Sequence, residues 1–199
     1  MARKSIRSRI KAEFRPDKRE LTWLKSLYMT RQQRLTLLKW TLYTVLCLLL
    51  LVVQDVIMSR FKIFGSTTDL VVGAILLITM LEGGESGSLF VVIASTMYFF
   101  SGSSPGAFCI AAMTFLGVFT AIFRQMYWRR NFASIILCTV IIVMLYEMIS
   151  FGAGIAMGFT MFSRMGVFVV KGLLTCVTLL PLYPLVFTIG KIGGKEWKE

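Results

Sequence analysis

The stretch Val45–Val53, VLCLLLLVV, decides the fold class, because it is an uninterrupted apolar run at the centre of a longer apolar segment. The surrounding segment, at about residues 37 to 58, reaches the roughly 20 residues that a transmembrane helix needs to cross a bilayer. The sequence therefore predicts a membrane-spanning helix here. The rest of the chain follows the same pattern.

The whole composition agrees with a membrane protein. Of the 199 residues 56% are hydrophobic and 16% are charged, with a mean hydropathy of +0.74. An ordinary soluble domain carries about 25% charged residues, so a soluble globular fold is excluded. Further apolar segments lie at about residues 63–81, 86–101, 107–123, 133–151 and 167–189. We predict an all-α integral membrane protein whose domain, residues 37–190, contains about six transmembrane helices.

The second and third segments are short, and two topologies suit them. Their strictly apolar parts, Leu70–Leu81 and Leu89–Phe100, are each only 12 residues long. They form either two full spans, lengthened by Ser, Thr and Gly at their ends, or a re-entrant hairpin. We favour two full spans, because a turn with two glutamates at mid-membrane would be costly in free energy.

The distribution of Lys and Arg predicts the orientation. With the N-terminus inside, eighteen of the 22 basic residues lie on the cytoplasmic side. The four outside are Arg60, Lys62, Arg164 and Lys171. Positive charge marks the cytoplasmic side, so both termini are predicted to be cytoplasmic, including a short C-terminal tail, residues 191–199. Trp128, Arg129 and Arg130 are predicted to anchor the chain at the membrane interface.

The basic tail, residues 1–36, contains a second membrane-binding pattern. Leu21, Leu24 and Tyr28 recur at helical spacing, with lysines and arginines largely on the other face. This pattern indicates an amphipathic helix lying on anionic lipid.

The turn between the second and third segments carries two acids and three glycines: Glu82, Gly83, Gly84, Glu85 and Gly87. A phosphate-binding loop would need a lysine after the glycines, and a metal site would need further ligands nearby. The first interpretation is a helix-ending glycine turn with solvated acids, where Glu85 favours the next helix N-terminus. The second is a contact for a partner protein.

Two acids, Asp69 and Glu147, lie within predicted spans, where an ionisable group suggests a functional site. Asp69 either caps its helix or has a functional role. Glu147, next to Tyr146, either joins helices or takes part in transport or substrate binding. Histidine is absent, the four cysteines all lie in apolar runs, and no nucleophile is accompanied by a base. We therefore expect no enzymatic activity, no cofactor, no metal site and no nucleic-acid partner.

The order of these motifs resembles the rod shape-determining membrane protein MreD family. Thr68–Leu70, the turn Gly83–Gly87, the turn Ser101–Gly106, the basic turn Arg124–Arg130 and Tyr146–Glu147 follow one another at suitable spacing. The third of these contains Gly102, Pro105 and Gly106, with Pro105 opening the fourth segment. The resemblance covers roughly residues 40 to 190.

The resemblance implies a non-enzymatic scaffold of the bacterial cell-elongation machinery in the cytoplasmic membrane, which organises peptidoglycan synthesis. Its implied partners are an MreC-like bitopic protein and, alongside it, MreB, RodA and a penicillin-binding transpeptidase. The family is similar in fold to the substrate-binding subunits of energy-coupling-factor transporters. The alternative function is therefore a vitamin-binding subunit of such a transporter.

Overall fold

The computed structural model describes residues 31–60, 65–102, 104, 106–127 and 132–192. Within these ranges the chain is helical, which confirms the predicted all-α class. The six α-helices are α1 Arg31–Val56, α2 Leu70–Glu82, α3 Gly84–Phe100, α4 Phe108–Tyr127, α5 Phe132–Ala156 and α6 Met165–Gly190. Short 3-10 turns, Met58–Arg60 and Phe162–Arg164, follow α1 and precede α6.

Among the described residues, three stretches are long and apolar enough to cross a membrane: Arg31–Arg60, Phe132–Ala156 and Phe162–Gly190. The apolar stretches Leu70–Glu82, which is α2, and Phe108–Arg124, within α4, are shorter. The predicted membrane character is confirmed at this level, by length and composition.

Helix α2 is the centre of the fold, since it packs against each of the other five helices. All of Leu70–Leu81 is buried, whereas the other helices expose apolar side chains along one face. At 13 residues α2 is only about 20 Å long, roughly half the length of α1. The other helices surround it in the order α1, α3, α4, α5, α6, and α6 also contacts α1.

The predicted start of the second segment, at about residue 63, is wrong for the helix. Helix α2 begins at Leu70, and residues 65–69 are non-helical but largely buried. Two hydrogen bonds hold this segment against α6: the Ser66 hydroxyl donates to the Val167 carbonyl (3.1 Å), and the Asp69 amide donates to Thr175 Oγ1 (3.0 Å). Because α6 supplies these partners, the segment stays non-helical where the sequence suggested helix.

Successive helices run in opposite directions between two ends of the bundle. We call them the Asp69 end, where α2 begins, and the Glu82 end, where α2 finishes. Residues of α1 contact Glu82 early in that helix and Asp69 late in it. Helix α6 contacts Asp69 early, through Lys171, and approaches Tyr43 late, where the Tyr43 hydroxyl lies 3.5 Å from the Val186 carbonyl. The described chain therefore starts and finishes at the Glu82 end.

A one-residue connection links α2 to α3, as the predicted glycine turn requires. Gly83 has φ of 62° and Gly84 has φ of 56°, in the left-handed region that glycine adopts most readily. The Gly83 amide donates to the Thr79 carbonyl (2.9 Å). A Cβ atom at Gly87 would lie 2.9 Å from that same carbonyl oxygen, so the two helices approach closely here.

Glycines also allow close packing elsewhere in the bundle. A Cβ atom at Gly117 of α4 would lie 2.5 Å from Val91 Cγ2 of α3, and one at Gly73 of α2 would lie 3.1 Å from Leu179 of α6. Small residues at helix contacts are the usual means of tight packing in membrane proteins.

Several predicted features lie outside the described residues: the amphipathic helix before residue 31, Pro105, Trp128, Arg129, Arg130 and residues 193–199. The fifth segment is longer than expected, since α5 continues through Gly152 and Gly154 to Ala156. The turn between α3 and α4, which contains the predicted Gly102 and Gly106, has positive φ at both glycines (78° and 154°).

Candidate functional site

A network of polar side chains lies inside the Asp69 end of the bundle. The Asp69 carboxylate is almost fully buried and contacts three other helices. Its Oδ1 accepts hydrogen bonds from Gln54 Nε2 of α1 (2.9 Å) and from the Tyr98 hydroxyl of α3 (2.8 Å). Its Oδ2 lies 2.5 Å from Lys171 Nζ of α6. Asp69 thus joins α1, α2, α3 and α6.

The helix-capping interpretation of Asp69 is wrong. Asp69 occupies the N-cap position of α2, but its side chain makes no capping hydrogen bond. Neighbouring helices take that role: Gln54 Oε1 accepts from the Val71 amide (3.0 Å), and Thr175 Oγ1 accepts from the Asp69 amide. The carboxylate is therefore available for Lys171, and the α2 N-terminus adds favourable partial positive charge beside it.

Glu147 joins the same network from α5. Its side chain is 1% exposed, and its Oε1 lies 3.3 Å from Lys171 Nζ. This contact connects α5 to α6, as the interhelical interpretation predicts. Within the described ranges, Glu147 Oε2 and the Ser150 hydroxyl one turn later are buried without a hydrogen-bond partner.

Two carboxylates therefore share one ammonium group. When all three groups are ionised the network has a net charge of −1, in a region where an unpaired charge costs several kcal/mol. Both contacts of Lys171 are therefore ion pairs within a buried cluster. The shared lysine holds the start of α2 and the side chain of α5 against α6.

Tyr146, beside Glu147, makes a separate contact. Its hydroxyl lies 2.6 Å from Cys109 Sγ, and both side chains are buried. The contact joins α5 to α4. Every helix of the bundle is thus connected through a polar group near this end.

A second polar cluster lies at the Glu82 end. Glu82 Oε2 lies 2.5 Å from Lys39 Nζ, and Oε1 accepts from the Tyr43 hydroxyl (2.8 Å). The Arg124 side chain packs against the adjacent turn, since a Cβ atom at Gly83 would lie 2.9 Å from its Nη1.

The two glutamates of the turn therefore differ in environment. The expectation of a solvated acid is wrong for Glu82, whose side chain is 10% exposed and paired with Lys39, because α1 lies against this side of the turn. Glu85 is exposed in the first turn of α3. Among the described residues it forms no ion pair.

A lateral cleft of about 390 Å³ separates α1 from α3, the pair of ring neighbours with the least contact. Its walls are almost entirely apolar, and α2 forms the floor through Val71 and Ile75.

Sequence reasoning missed several members of the network. Charge counting places Lys171 with the four outer basic residues and gives it no other role, although its position inside an apolar run is itself a signal for a buried ionisable group. Gln54, Tyr98 and Thr175 carry no distinctive sequence signal, because they are uncharged polar residues that belong to no motif. In the described part of the chain, no three His, Cys, Asp or Glu side chains come together as metal ligands.

Comparison with known proteins gives no relative for this chain: no family model, no curated protein and no solved structure matches it. The resemblance to the MreD family stays a prediction.

Proposed function

We propose that this chain is a non-enzymatic scaffold with six transmembrane helices in the bacterial cytoplasmic membrane. The Glu82 end would be cytoplasmic, together with both termini. This orientation rests on the Lys/Arg bias and on the alternating directions of the six helices. The shorter α2 would cross within the ring of other helices, where protein rather than lipid surrounds its buried ends.

The observation that carries the scaffold proposal is how the buried charges are used. Lys171 of α6 contacts Asp69 at the start of α2 and Glu147 of α5, and Gln54 of α1 donates to Asp69. At the other end Glu82 contacts Lys39 of α1. These buried groups join the helices of the bundle to one another. The surface left for a partner is then the apolar outer face of the ring, which suits association by helix packing.

The resemblance supplies the biological setting of the proposal. A scaffold of this family would bind an MreC-like bitopic protein and act beside MreB, RodA and a penicillin-binding transpeptidase. Its role would be to hold the enzymes of peptidoglycan synthesis at the site of cell elongation, with anionic lipid contacting the basic tail.

Affinity purification of the tagged full chain from native membranes tests this function. We expect quantitative mass spectrometry to enrich the bitopic protein and its elongation partners over a tagged, unrelated multi-span protein expressed at the same level. Recovery of a transport ATPase module without elongation proteins would overturn the proposal.

One observation favours the alternative, a vitamin-binding transporter subunit. Glu147 Oε2 and the Ser150 hydroxyl, both without a hydrogen-bond partner in the described bundle, lie toward the Asp69 end, which would face outward. They provide acceptor and donor groups for a small polar ligand. Native mass spectrometry of the purified chain would support this alternative if it showed a bound vitamin that is lost in Ser150→Ala.

A further inference from the structure

Glu147 and Ser150 of α5 place two unpartnered polar atoms inside the Asp69 end of the bundle. The two residues are three apart, so their side chains are neighbours on one face of the helix. Glu147 Oε2 and Ser150 Oγ are both buried, and neither makes a hydrogen bond within the described ranges. A buried polar atom without a partner is costly in free energy, so each of these atoms needs a partner that the described side chains do not supply.

The Ser150 hydroxyl departs from the pattern of the other buried hydroxyls. A hydroxyl inside a helix commonly donates to the backbone carbonyl three or four residues earlier. The other buried helical hydroxyls of the described chain all do so: Thr79, Ser95, Thr120, Thr139 and Thr175. The corresponding carbonyls for Ser150 belong to Tyr146 and Glu147, and the hydroxyl bonds to neither. Its oxygen is therefore left for a side-chain partner.

The charges around Glu147 do not give it a cation of its own. Helices α2, α4 and α6 pack against α5, and along these four helices the basic residues are Lys171 and Arg124. Arg124 lies at the Glu82 end, and Lys171 already pairs with Asp69. The remaining titratable groups near Glu147 are two thiols and a phenol: Cys109, Cys176 and Tyr146. One ammonium group therefore serves two carboxyl groups.

The two acids differ in what stabilises their ionised forms. Asp69 Oδ1 accepts hydrogen bonds from Gln54 and Tyr98. The lysine Nζ is 2.5 Å from Asp69 Oδ2 but 3.3 Å from Glu147 Oε1. Donated hydrogen bonds, a close ammonium group and the α2 N-terminus all favour the ionised form of Asp69. A proton taken up by the pair therefore resides on Glu147.

A proton also suits the packing around Glu147. Helix α6 covers the stem of this side chain, since a Cβ atom at Gly172 would lie 2.7 Å from Met144 Sδ and 3.5 Å from Glu147 Cγ. A proton needs neither a cavity nor a set of ligands. On Oε2 it turns an acceptor into a donor, and Ser150 Oγ can accept from it. One proton thus provides both unpartnered atoms with a hydrogen bond and removes the excess negative charge.

We propose that Glu147 is a proton-binding site: at neutral pH its Oε2 carries a proton and donates to Ser150 Oγ, while Asp69 stays ionised and pairs with Lys171. Such a site is independent of the scaffold function. Lys171 is 20% exposed, whereas the two acids are 4% and 1% exposed, so water reaches the network at the lysine. Loss of the proton leaves both carboxylates competing for Lys171, so the contact between α5 and α6 responds to acidity at the Asp69 end.

Infrared spectroscopy of the purified full chain in lipid nanodiscs at neutral pH tests the site. A protonated carboxyl group has a carbonyl band well separated from the bands of ionised carboxylates. We expect such a band, with the intensity of one carboxyl group per chain. It should shift when glutamate is isotope-labelled at the side-chain carboxyl carbon. The same label in aspartate should leave it in place, because Asp69 is ionised.

Glu147→Gln should remove the band. Glutamine has the size of the protonated acid, so this variant should elute from size exclusion and melt as the parent chain does. Glu82→Gln is the matched control, because the Glu82 side chain is 10% exposed and pairs with Lys39. It should leave the band unchanged.

Two further variants separate the roles in the network. Asp69→Asn leaves Lys171 to Glu147 alone, so Glu147 should ionise and the band should be lost although the acid is still present. Ser150→Ala should keep the band and move it to higher frequency, because the protonated acid loses its hydrogen-bond acceptor.

The inference is overturned if the protonated band is absent at neutral pH, if it shifts with labelled aspartate, or if it survives Glu147→Gln. It is also overturned if the band persists in Asp69→Asn or keeps its frequency in Ser150→Ala. A water molecule or a small ligand that satisfied Oε2 in place of the proton would leave Glu147 ionised and give the first of these results. The labelling experiments use the unsubstituted chain, so they decide the question even where a variant fails to fold.

Discussion

Replacing Lys171 by methionine removes the ammonium group that lies between Asp69 and Glu147. Its Nζ is 2.5 Å from Asp69 Oδ2 and 3.3 Å from Glu147 Oε1, and the two acids are 4% and 1% exposed. Removing one partner of a buried ion pair costs about 3–5 kcal/mol, because the remaining charge stays buried.

The lower part of that range applies to Lys171. Its own side chain is 20% exposed, and Asp69 retains its hydrogen bonds from Gln54 and Tyr98 after the substitution. We take about 3 kcal/mol. For a chain of this size 1 kcal/mol corresponds to about 2–4 °C, so the unfolding temperature should fall by about 6–12 °C.

Thermal unfolding of the purified protein in mild detergent, followed by fluorescence-detected size exclusion, measures this change. Lys191→Met is the matched control. Lys191 is exposed, and within the described ranges its side chain makes a cation–π contact with Phe187 (4.6 Å to the ring centroid), worth about 0.5–1 kcal/mol.

Neutralising the acids provides the decisive comparison. In the triple variant Lys171→Met, Asp69→Asn, Glu147→Gln, no uncompensated charge remains, so most of the lost unfolding temperature should return. The reasoning is refuted if Lys171→Met melts within about 2 °C of the parent chain, a shift below 1 kcal/mol. It is equally refuted if the triple variant melts no higher than Lys171→Met.

Three other predictions use the same preparation or intact cells. Gly87→Ala should destabilise the bundle by about 1–3 kcal/mol, because the new Cβ meets a backbone carbonyl. Its control is Gly152→Ala, where the new Cβ meets nothing within 4 Å, so this variant should be neutral or slightly stabilising. Equal melting temperatures of the two variants would contradict the close approach of α2 and α3. Lys39→Glu and Glu82→Lys should each destabilise the folded bundle by about 2 kcal/mol. In a double-mutant cycle the charge-exchanged double variant should recover part of that loss, whereas strictly additive effects would argue against an ion pair between Lys39 and Glu82. In a chain whose native cysteines are replaced, Ser86→Cys should react with an impermeant maleimide only after the membrane is opened; labelling of whole cells would disprove the cytoplasmic placement of this turn.

The approximate helices and the turns between them follow from the sequence, because long apolar runs and glycines have few alternative structures. The central position of α2 does not. Its run Leu70–Leu81 is as apolar as a lipid-facing segment, and hydropathy measures the same quantity for a lipid environment and for a protein interior. Only the burial of all these residues in the folded bundle distinguishes α2 from α1, which leaves Leu49 and Val52 exposed.

The candidate site was predictable in part. Asp69 and Glu147 stand out because ionisable groups are rare inside apolar segments. Their shared partner Lys171 could not be identified in this way, since counting charges for topology gives a lysine near a helix end no further role. Glu82 and Glu85 could not be separated from sequence, because what differs between them is the position of α1 in space.

The position of Lys171 makes the other five helices depend on α6. Without α6, Asp69 and Glu147 lack the ammonium group that lies between them, and α2 is open on the side that α6 covers. Helix α6 therefore closes the ring and neutralises one acid at the same time. A chain that ended before Met165 would leave both acids unpaired and α2 uncovered, so we expect the first five helices alone to fold poorly.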